Sequence, residues 1–495
     1  MQFEKSQLRC LRPLVSQVQT VEQVQELRLP DGMPDIGRVL TAWGQVLLRG
    51  KEWGSGSMGT SGGVMVWALY EPEEGGMPQT VEAWIPFQMR WDIPQTQHDG
   101  KICCACLLRS VDARSTSARK LMLRANVCAL GEGYIPEEIS YYTAKNPPED
   151  VQLLKNTYPL RLAMEAGEKT VDLDEEFSLP ASAPRIVRLV RFSLQPELID
   201  RRVMADKVVF RGMGLVHILY RGEDEQLHAW DFEVPFSHYA ELDAEYGPEA
   251  EATIVPAVTS LEMDVFEDGR LTLKGGMTCQ YMIYDRCPVE LVQDAYSPNR
   301  QVAVTEELLT VPSVLELNSQ TVTAEITTPV EGVRAVDAVF YPRFPEHHAE
   351  AGELALQGRF QILYYDDSGT LQSTAPKWEQ NLPMEASRES RVRSWVSNTG
   401  LPQMTFTGHD VLARADLLLD TTATALEQIQ MVTGLELGEL KESDPNRPSL
   451  ILRKPGQDSL WQLAKRCGST VEKIKQANGL EDEMVTDTFL LIPVI

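Results

Sequence analysis

The chain carries VMVWALY at residues 64–70, GLVHILY at 214–220 and GRFQILY at 358–364, three apolar stretches of strand length that each end in tyrosine. β-Branched and aromatic residues recur in all three, a composition typical of β-strands. Acidic or glycine-containing segments follow each tyrosine, namely EPEEGG (71–76), RGED (221–224) and DDSG (366–369). Such residues stop a strand and form tight turns. We therefore predict that each stretch is one strand of a hairpin.

A second set of landmarks follows the same order. Tyr70 and Tyr220 lie 150 positions apart. A strand-like stretch with a proline follows each tyrosine, with Pro86, Pro235 and Pro383 at offsets of 16, 15 and 19 residues. The agreement between the first two copies is closer than that of either with the third. The pattern indicates an internal repeat.

Further landmarks keep this register. Leu29–Pro30 recurs as Leu179–Pro180, and later strand-like stretches begin at Lys120 (KLMLRANVCA), Arg270 (RLTLKGGMTC) and Gln403 (QMTFTGHDVL). The period is too long for a solenoid, whose units are about 20–50 residues long, and instead indicates tandem domains. We place them at 1–146, 147–294 and 295–440.

The body of the chain is predicted to be mainly β. Strand-like runs with turn signals at roughly ten-residue spacing favour sandwiches or small barrels. Helical periodicity is scarce there, and Ala423–Val432 is the best helix candidate. The predicted fold is therefore three tandem β-sandwich or barrel-like repeat domains followed by a small C-terminal βααβ module.

The charge of the chain excludes several classes of partner. The formal net charge is −26, whereas residues 450–495 hold equal numbers of acidic and basic residues, so the body carries the excess. Nucleic acids and anionic membranes both need clustered Lys and Arg. We find no signal-peptide pattern at the N-terminus and no apolar run of about 18 residues, so we expect a cytoplasmic protein without membrane insertion.

The cysteines form one cluster, Cys103, Cys104 and Cys106, among the eight in the chain. This density is not that of a disulfide scaffold, and there is no second pair to complete a zinc ribbon. We expect reduced, partly buried strand cysteines, with a redox or metal-binding role as the alternative. We predict no metal site and no cofactor.

Two short motifs resemble catalytic signatures but lack the required context. Gly54–Gly59 fits GxGxxG and Gly59–Gly63 fits GxSxG, yet a strand follows both, whereas those sites need a preceding strand and a following helix. We expect His217 to be a hydrogen-bonded strand histidine, and His347 and His348 to lie in a loop. We predict no catalytic residues and a protein that is not an enzyme.

The tail begins after a polar, proline-containing linker at 441–449. Residues 450–495 are predicted to form strand, helix, helix and strand. Asp458 or Ser459 caps the first helix and Gly468 ends it. Ser469, with Glu472 three residues on, is predicted to begin the second helix as a capping box. Trp461 packs in the core or faces a ligand.

This tail resembles the LysM family, in KPGQDSLW (454–461), LAKRCGSTVEKIKQANGL (463–480) and LLIP (490–493). Gln457 is one residue more than the family's usual first loop contains. The resemblance implies a groove for N-acetylglucosamine polymers between two loops. Its matching positions are Gly456, Gln457, Asp458, Ser459, Gly479, Leu480, Glu481 and Asp482.

The body resembles the spore-coat-associated repeat proteins (SPOCS domain) of endospore-forming bacteria, in LPDGMPDIGRVLTAWGQV (29–46) and VHILYRGEDEQLHAWDFEVPFSHY (216–239). The third copy, with QILYYDDSG (361–369), is more diverged. The resemblance implies a non-catalytic scaffold of the mother cell that attaches coat components to the forespore surface. The implied partner is the spore-coat basal-layer ATPase or another coat protein.

Two other functions stay open at this point. The first is a protein that binds the peptidoglycan of the cortex or cell wall. The second is a wall hydrolase targeted by its LysM module, which the absence of a catalytic constellation in the sequence disfavours.

Overall fold

The structure is a computed structural model that describes residues 3–95, 99–384, 390–407, 409–441, 448–480 and 488–495. Strands account for 78% of the chain and helices for 3%, so the mainly β prediction is confirmed. No described helix is long and apolar enough to span a membrane.

The N-terminal third forms two antiparallel ladders. Its strands are β1 (Phe3–Arg28), β2 (Ile36–Trp53), β3 (Ser57–Pro72), β4 (Gln79–Asp92), β5 (Lys101–Ser117) and β6 (Lys120–Ala144). One ladder has the order β1-β6-β5 and the other β2-β3-β4. The stretch VMVWALY lies in β3, the central strand of the second ladder, which explains its nearly continuous burial.

The middle third repeats this plan. Its strands are β7 (Gln152–Ser178), β8 (Ile186–Gly222), β9 (Leu227–Tyr246), β10 (Glu251–Val265) and β11 (Arg270–Tyr296). The ladders are β10-β11-β7 and β8-β9. Pro86 pairs with Gly63 and Pro235 with Met213, and each partner lies seven residues before the tyrosine of its copy, Tyr70 or Tyr220. The two hairpins therefore share one register.

The C-terminal third of the body is more divided. Its strands are β12 (Arg300–Pro329), β13 (Gly332–Pro342), β14 (Glu346–His348), β15 (Glu353–Asp366), β16 (Leu371–Thr374), β17 (Lys377–Pro383), β18 (Arg391–Thr407) and β19 (Asp410–Leu440). One ladder is β12-β19-β18, and β15 pairs with β13, β14, β16 and β17 in the other. Pro383 pairs with Glu353, eleven residues before Tyr364, so this hairpin has a different register.

Two predictions made from the sequence of this third are wrong. QMTFTGHDVL does not open a strand, because it straddles the end of β18 and the start of β19. The position equivalent to Lys120 is Asp410: the amide of Val330 donates to the carbonyl of His409 at 2.8 Å, as Leu29 does to Arg119 at 2.9 Å. Ala423–Val432 is part of β19 and not a helix, because its backbone pairs with β12.

The hydrophobic cores are shared between the thirds. The largest cluster combines Trp43 from β2, Ile218 from β8 and Leu363 from β15. Another combines Cys10 from β1, Leu160 from β7 and Leu309 from β12. We expect no third to bury its apolar surface alone, so the division at 146/147 and 294/295 stays a proposal about repeats and not about independent folding units.

Candidate functional site

The C-terminal module has the predicted βααβ order. Its elements are β20 (Leu450–Arg453), α1 (Leu460–Cys467), α2 (Val471–Asn478) and β21 (Leu490–Pro493), with β20 and β21 paired antiparallel. Leu463, Ile474 and Ile492 are fully buried in its core. Most of the predicted linker, residues 442–447, lies outside the described residues.

The helix caps follow the sequence signals with one correction. Ser459 caps α1: its hydroxyl accepts from the Gln462 amide at 3.2 Å, and the Gln462 side chain accepts from the Ser459 amide at 3.0 Å. Gly468 ends the helix at φ +66°. The cap of α2 is Thr470 and not Ser469, because the Ser469 amide donates to the Ala464 carbonyl to close α1.

The first loop of the predicted groove offers few free polar groups. Gly456 and Gln457 are exposed, and no atom beyond the adjacent residues lies within 4 Å of the Cβ position at Gly456. Asp458 accepts from both Nη atoms of Arg466, at 2.8 and 3.1 Å. Ser459 serves as the helix cap. Gln457 is therefore the polar side chain of this loop for which the described contacts show no structural task.

The end of α2, just before the second loop, is tied to β21 by Asn478. The Asn478 side chain donates to the carbonyls of Ile474 and Leu491 and accepts from the Leu491 amide, all within 2.8 Å. Gly479 has φ +61°, and Leu480 packs against the module core. Glu481 and Asp482 lie outside the described residues. The role of these eight groove residues stays a prediction.

The module is docked on the body through α1. The Trp461 indole N–H donates to Asp294 Oδ2 at 2.8 Å, and Lys465 Nζ binds both oxygens of the same carboxylate at 2.7 and 2.8 Å. Tyr296 packs edge-on against Trp461 with ring centroids 4.8 Å apart, and its hydroxyl donates to the Ser469 carbonyl at 2.9 Å. Trp461 therefore joins module to body, a role that neither alternative had named.

This docking gives a first prediction. Tyr296→Ala removes a buried ring that belongs to the module core, and we expect α1 and α2 to lose about 3–5 kcal/mol of protection against opening. Tyr296→Phe loses only one hydrogen bond, worth about 1 kcal/mol. Hydrogen exchange of residues 460–478 measures both. Equal protection in Tyr296→Ala and the unchanged protein would show that the module does not need the body.

The body holds a cavity of about 380 Å³ where the three thirds meet. Strands β2, β8 and β13 line it, one from each third, together with β5, β10 and β18. A buried cluster of charges forms part of its wall. Arg191 donates from Nε and Nη2 to the Asp337 carboxylate at 2.6 and 2.8 Å. This pair joins β8 to β13, and so the middle third to the last.

His217 completes the cluster, as the sequence predicted for a hydrogen-bonded strand histidine. Its Nδ1 lies 2.6 Å from Asp231 Oδ1, and its Nε2 lies 3.1 Å from Asp337 Oδ1. Burial and the positive charge of Arg191 would lower the pKa of His217, but Asp337 and Asp231 outweigh them and raise the pKa above 6.5. Burial opposes the charge of Asp337, yet Arg191 and His217 hold its pKa well below the usual range. The paired charges act as a structural joint.

The cluster should make stability depend on pH. Because the folded-state pKa of His217 is raised, its contribution is fully present below about pH 6.5 and is lost as pH rises through the folded-state pKa. The depressed pKa of Asp337 contributes above about pH 3.8 and is lost as pH falls further. We expect urea midpoints to fall from pH 6 to 9, and to fall less in His217→Gln. Exposed His409→Gln is the control, and identical slopes in all three proteins would contradict this.

The other sequence motifs lie within strands or in the turn between two strands. Ser61 lies inside β3, and Gly54 donates to the Ser57 carbonyl at 2.8 Å in the turn between β2 and β3. His347 and His348 lie in the short strand β14 and not in a loop. Among the described residues, no three His, Cys, Asp or Glu side chains converge as metal ligands.

Comparison with known families assigns two segments. The model described as SipL, SPOCS domain matches residues 185–266, and the LysM domain model matches residues 454–485. The searches of curated proteins and of solved structures gave no match. The SPOCS match covers β8, β9 and β10 completely, and the LysM match covers both helices.

These findings define a β-rich protein built from binding domains. A small module with two helices follows the β-rich body. The chain combines a SPOCS domain, a family associated with the spore coat, with a C-terminal LysM domain, a family associated with peptidoglycan binding.

Proposed function

We propose that the protein is a non-catalytic scaffold of spore-envelope assembly, which attaches coat components to the forespore surface by protein–protein binding. It acts in the mother-cell cytoplasm, and its partner is the spore-coat basal-layer ATPase or another coat protein. The observation that carries this proposal is the docking of the LysM module on Asp294 and Tyr296. A scaffold gains from this contact because two binding surfaces are held at a fixed separation.

The shared cores support the same proposal. The thirds of the body are joined by apolar clusters and by the Arg191–Asp337 pair, and such contacts favour a fixed arrangement of binding surfaces. Its net negative charge turns away nucleic acid and anionic lipid, and leaves proteins and glycans as binding partners.

The alternative function is binding of N-acetylglucosamine polymers in peptidoglycan by the LysM groove. The exposed Gly456 and Gln457 support it. The internal bonds of Asp458 and Ser459 weaken it, because those side chains already have partners and would have to break them to bind sugar hydroxyls. This balance favours a protein ligand over a glycan.

A pair of binding experiments on the full chain separates the two functions. The first measures co-sedimentation with purified peptidoglycan, with soluble N-acetylglucosamine oligomers as competitor. The second measures binding to the purified basal-layer ATPase. Gln457→Arg places a bulky charge in the groove, and Gln428→Arg makes the same change at an exposed position of β19.

The scaffold proposal expects ATPase binding and no competed sedimentation. The glycan alternative expects sedimentation that Gln457→Arg weakens about tenfold, equal to about 1.4 kcal/mol, while Gln428→Arg leaves it unchanged. Failure to bind the ATPase or any coat protein, together with competed sedimentation, would replace the first function by the second.

A further inference from the structure

Two thiols of the cysteine cluster meet on one face of β5. Cys104 and Cys106 are two positions apart on this strand, so their side chains point the same way. Their sulfur atoms lie 4.0 Å apart. Cys103 lies on the opposite face, where it belongs to a different hydrophobic cluster together with Cys128. The cluster of three in the sequence is thus a pair and a separate residue.

The pair is held in place from another third of the body. Gln280 of β11 is buried; its side-chain oxygen accepts from the Cys104 amide at 2.9 Å, and its side-chain nitrogen donates to the Cys104 carbonyl at 2.7 Å. The Lys51 ammonium donates to the same Gln280 oxygen at 2.9 Å and to the Ile102 carbonyl at 3.0 Å. The Lys51 ammonium also pairs with the Glu168 carboxylate at 2.5 Å. A strand fixed by these bonds is a preorganised setting for two sulfur ligands.

The pair can also be reached from the interior space. Cys104 is fully buried, whereas Cys106 is only partly buried and contributes to the lining of the central cavity. An ion that enters the cavity would meet Cys106 first and Cys104 behind it.

We propose that Cys104 and Cys106 bind one soft monovalent metal ion, Cu(I) being the biological example, as a two-coordinate dithiolate. Thiolates select soft ions such as Cu(I) and zinc. Zinc in structural sites takes four ligands, and the described part of the chain brings no third His, Cys, Asp or Glu to this pair. With metal–sulfur bonds of about 2.3 Å, two ligands on opposite sides of an ion lie roughly 4.6 Å apart, so small side-chain rotations suffice.

A disulfide is the competing chemistry, and the strand opposes it. Positions i and i+2 of an extended strand have Cα atoms about 6.6 Å apart, close to the upper limit of about 6.8 Å for a disulfide. The sulfurs would also have to close from 4.0 Å to a bond. Binding of Cu(I) needs no oxidant: two S–H bonds break, two S–Cu bonds form, two protons leave, and the metal keeps its oxidation state. The complex has a charge of minus one.

The test is titration of the reduced full chain with Cu(I) without oxygen, against a chromophoric Cu(I) chelator. We expect one equivalent to be withdrawn from the chelator, with two sulfur neighbours in X-ray absorption. Cys104→Ser and Cys106→Ser should each weaken binding at least about a hundredfold, because a hydroxyl is a poor ligand for a soft ion. Cys103→Ser, on the opposite face of the strand, is the matched control and should bind as the unchanged protein does.

Urea unfolding of each variant accompanies the titration. Partly buried Cys106 is the safer substitution, and a folded Cys106→Ser protein that still binds Cu(I) fully would overturn the proposal. Absence of Cu(I) binding by the unchanged reduced protein would overturn it as well, as would an air-formed disulfide between the two residues. Since the site lies in the body, none of these results affects the proposed scaffold function.

Discussion

Replacing Asp337 with alanine is expected to destabilise the body by about 3–5 kcal/mol, because the substitution leaves the buried Arg191 guanidinium without its anion. Both side chains are almost completely buried, at 4% and 1% exposure. The same change removes one of the two carboxylates that face His217. Equilibrium unfolding in urea at pH 7, monitored by far-ultraviolet circular dichroism, measures the loss as a shift in midpoint.

Two controls show whether burial of the charge is the cause. Glu325→Ala breaks the pair with Arg414, whose side chains are about half exposed, and should cost at most about 1 kcal/mol. The double replacement Arg191→Met with Asp337→Leu removes both charges and should recover much of the loss. If the double variant were as unstable as Asp337→Ala, packing and not the unpaired charge would be responsible.

The second large effect is expected at Arg393. This buried side chain on β18 pairs with Glu132 on β6 and donates to the hydroxyls of Tyr134 and Tyr284, each at 2.6 Å. The strands β6, β11 and β18 belong to different thirds of the body, so one guanidinium holds all three together. Arg393→Ala should cost about 3–5 kcal/mol, because it leaves the Glu132 carboxylate buried and unpaired.

The planar guanidinium of Arg393 allows a control at the same position. Arg393→Lys keeps the positive charge but cannot bond to Glu132 and both tyrosines in one plane, so we expect an intermediate loss. Urea midpoints of the two variants should therefore differ. If Lys and Ala gave the same midpoint, the charge would contribute nothing, and the hydrogen bonds to the tyrosines would account for the whole effect.

Local sequence patterns were sufficient to predict the structure of segments that are stabilised by contacts among their own residues. The caps at Ser459 and Gly468 could be predicted from the sequence because a capping box and a left-handed glycine involve only neighbouring residues. The common register of the first two hairpins could be predicted too, since Pro86 and Pro235 follow their tyrosines at almost equal separations in the sequence. The misassigned Ala423–Val432 contains good helix formers, whose weak preference yields to backbone pairing along β12.

The groove of the LysM module could be predicted only in part from the sequence. Its loop positions could be named from the family resemblance, but the resemblance did not show that Arg466 pairs with Asp458 or that Asn478, at the end of α2, bonds to Leu491 of β21. Those bonds depend on rotamers and on the approach of two elements, which are not encoded in the spacing of residues.

The sequence by itself determined that the protein is mainly β and that it contains a LysM module, because strand composition, turn residues and helix caps act over a few residues. Only the tertiary structure decided which distant groups meet. Trp461 and Asp294 are 167 positions apart, and Arg393 and Glu132 are 261 apart. A buried charge or an indole N–H must find a partner, but which partner it finds depends on which surfaces pack together.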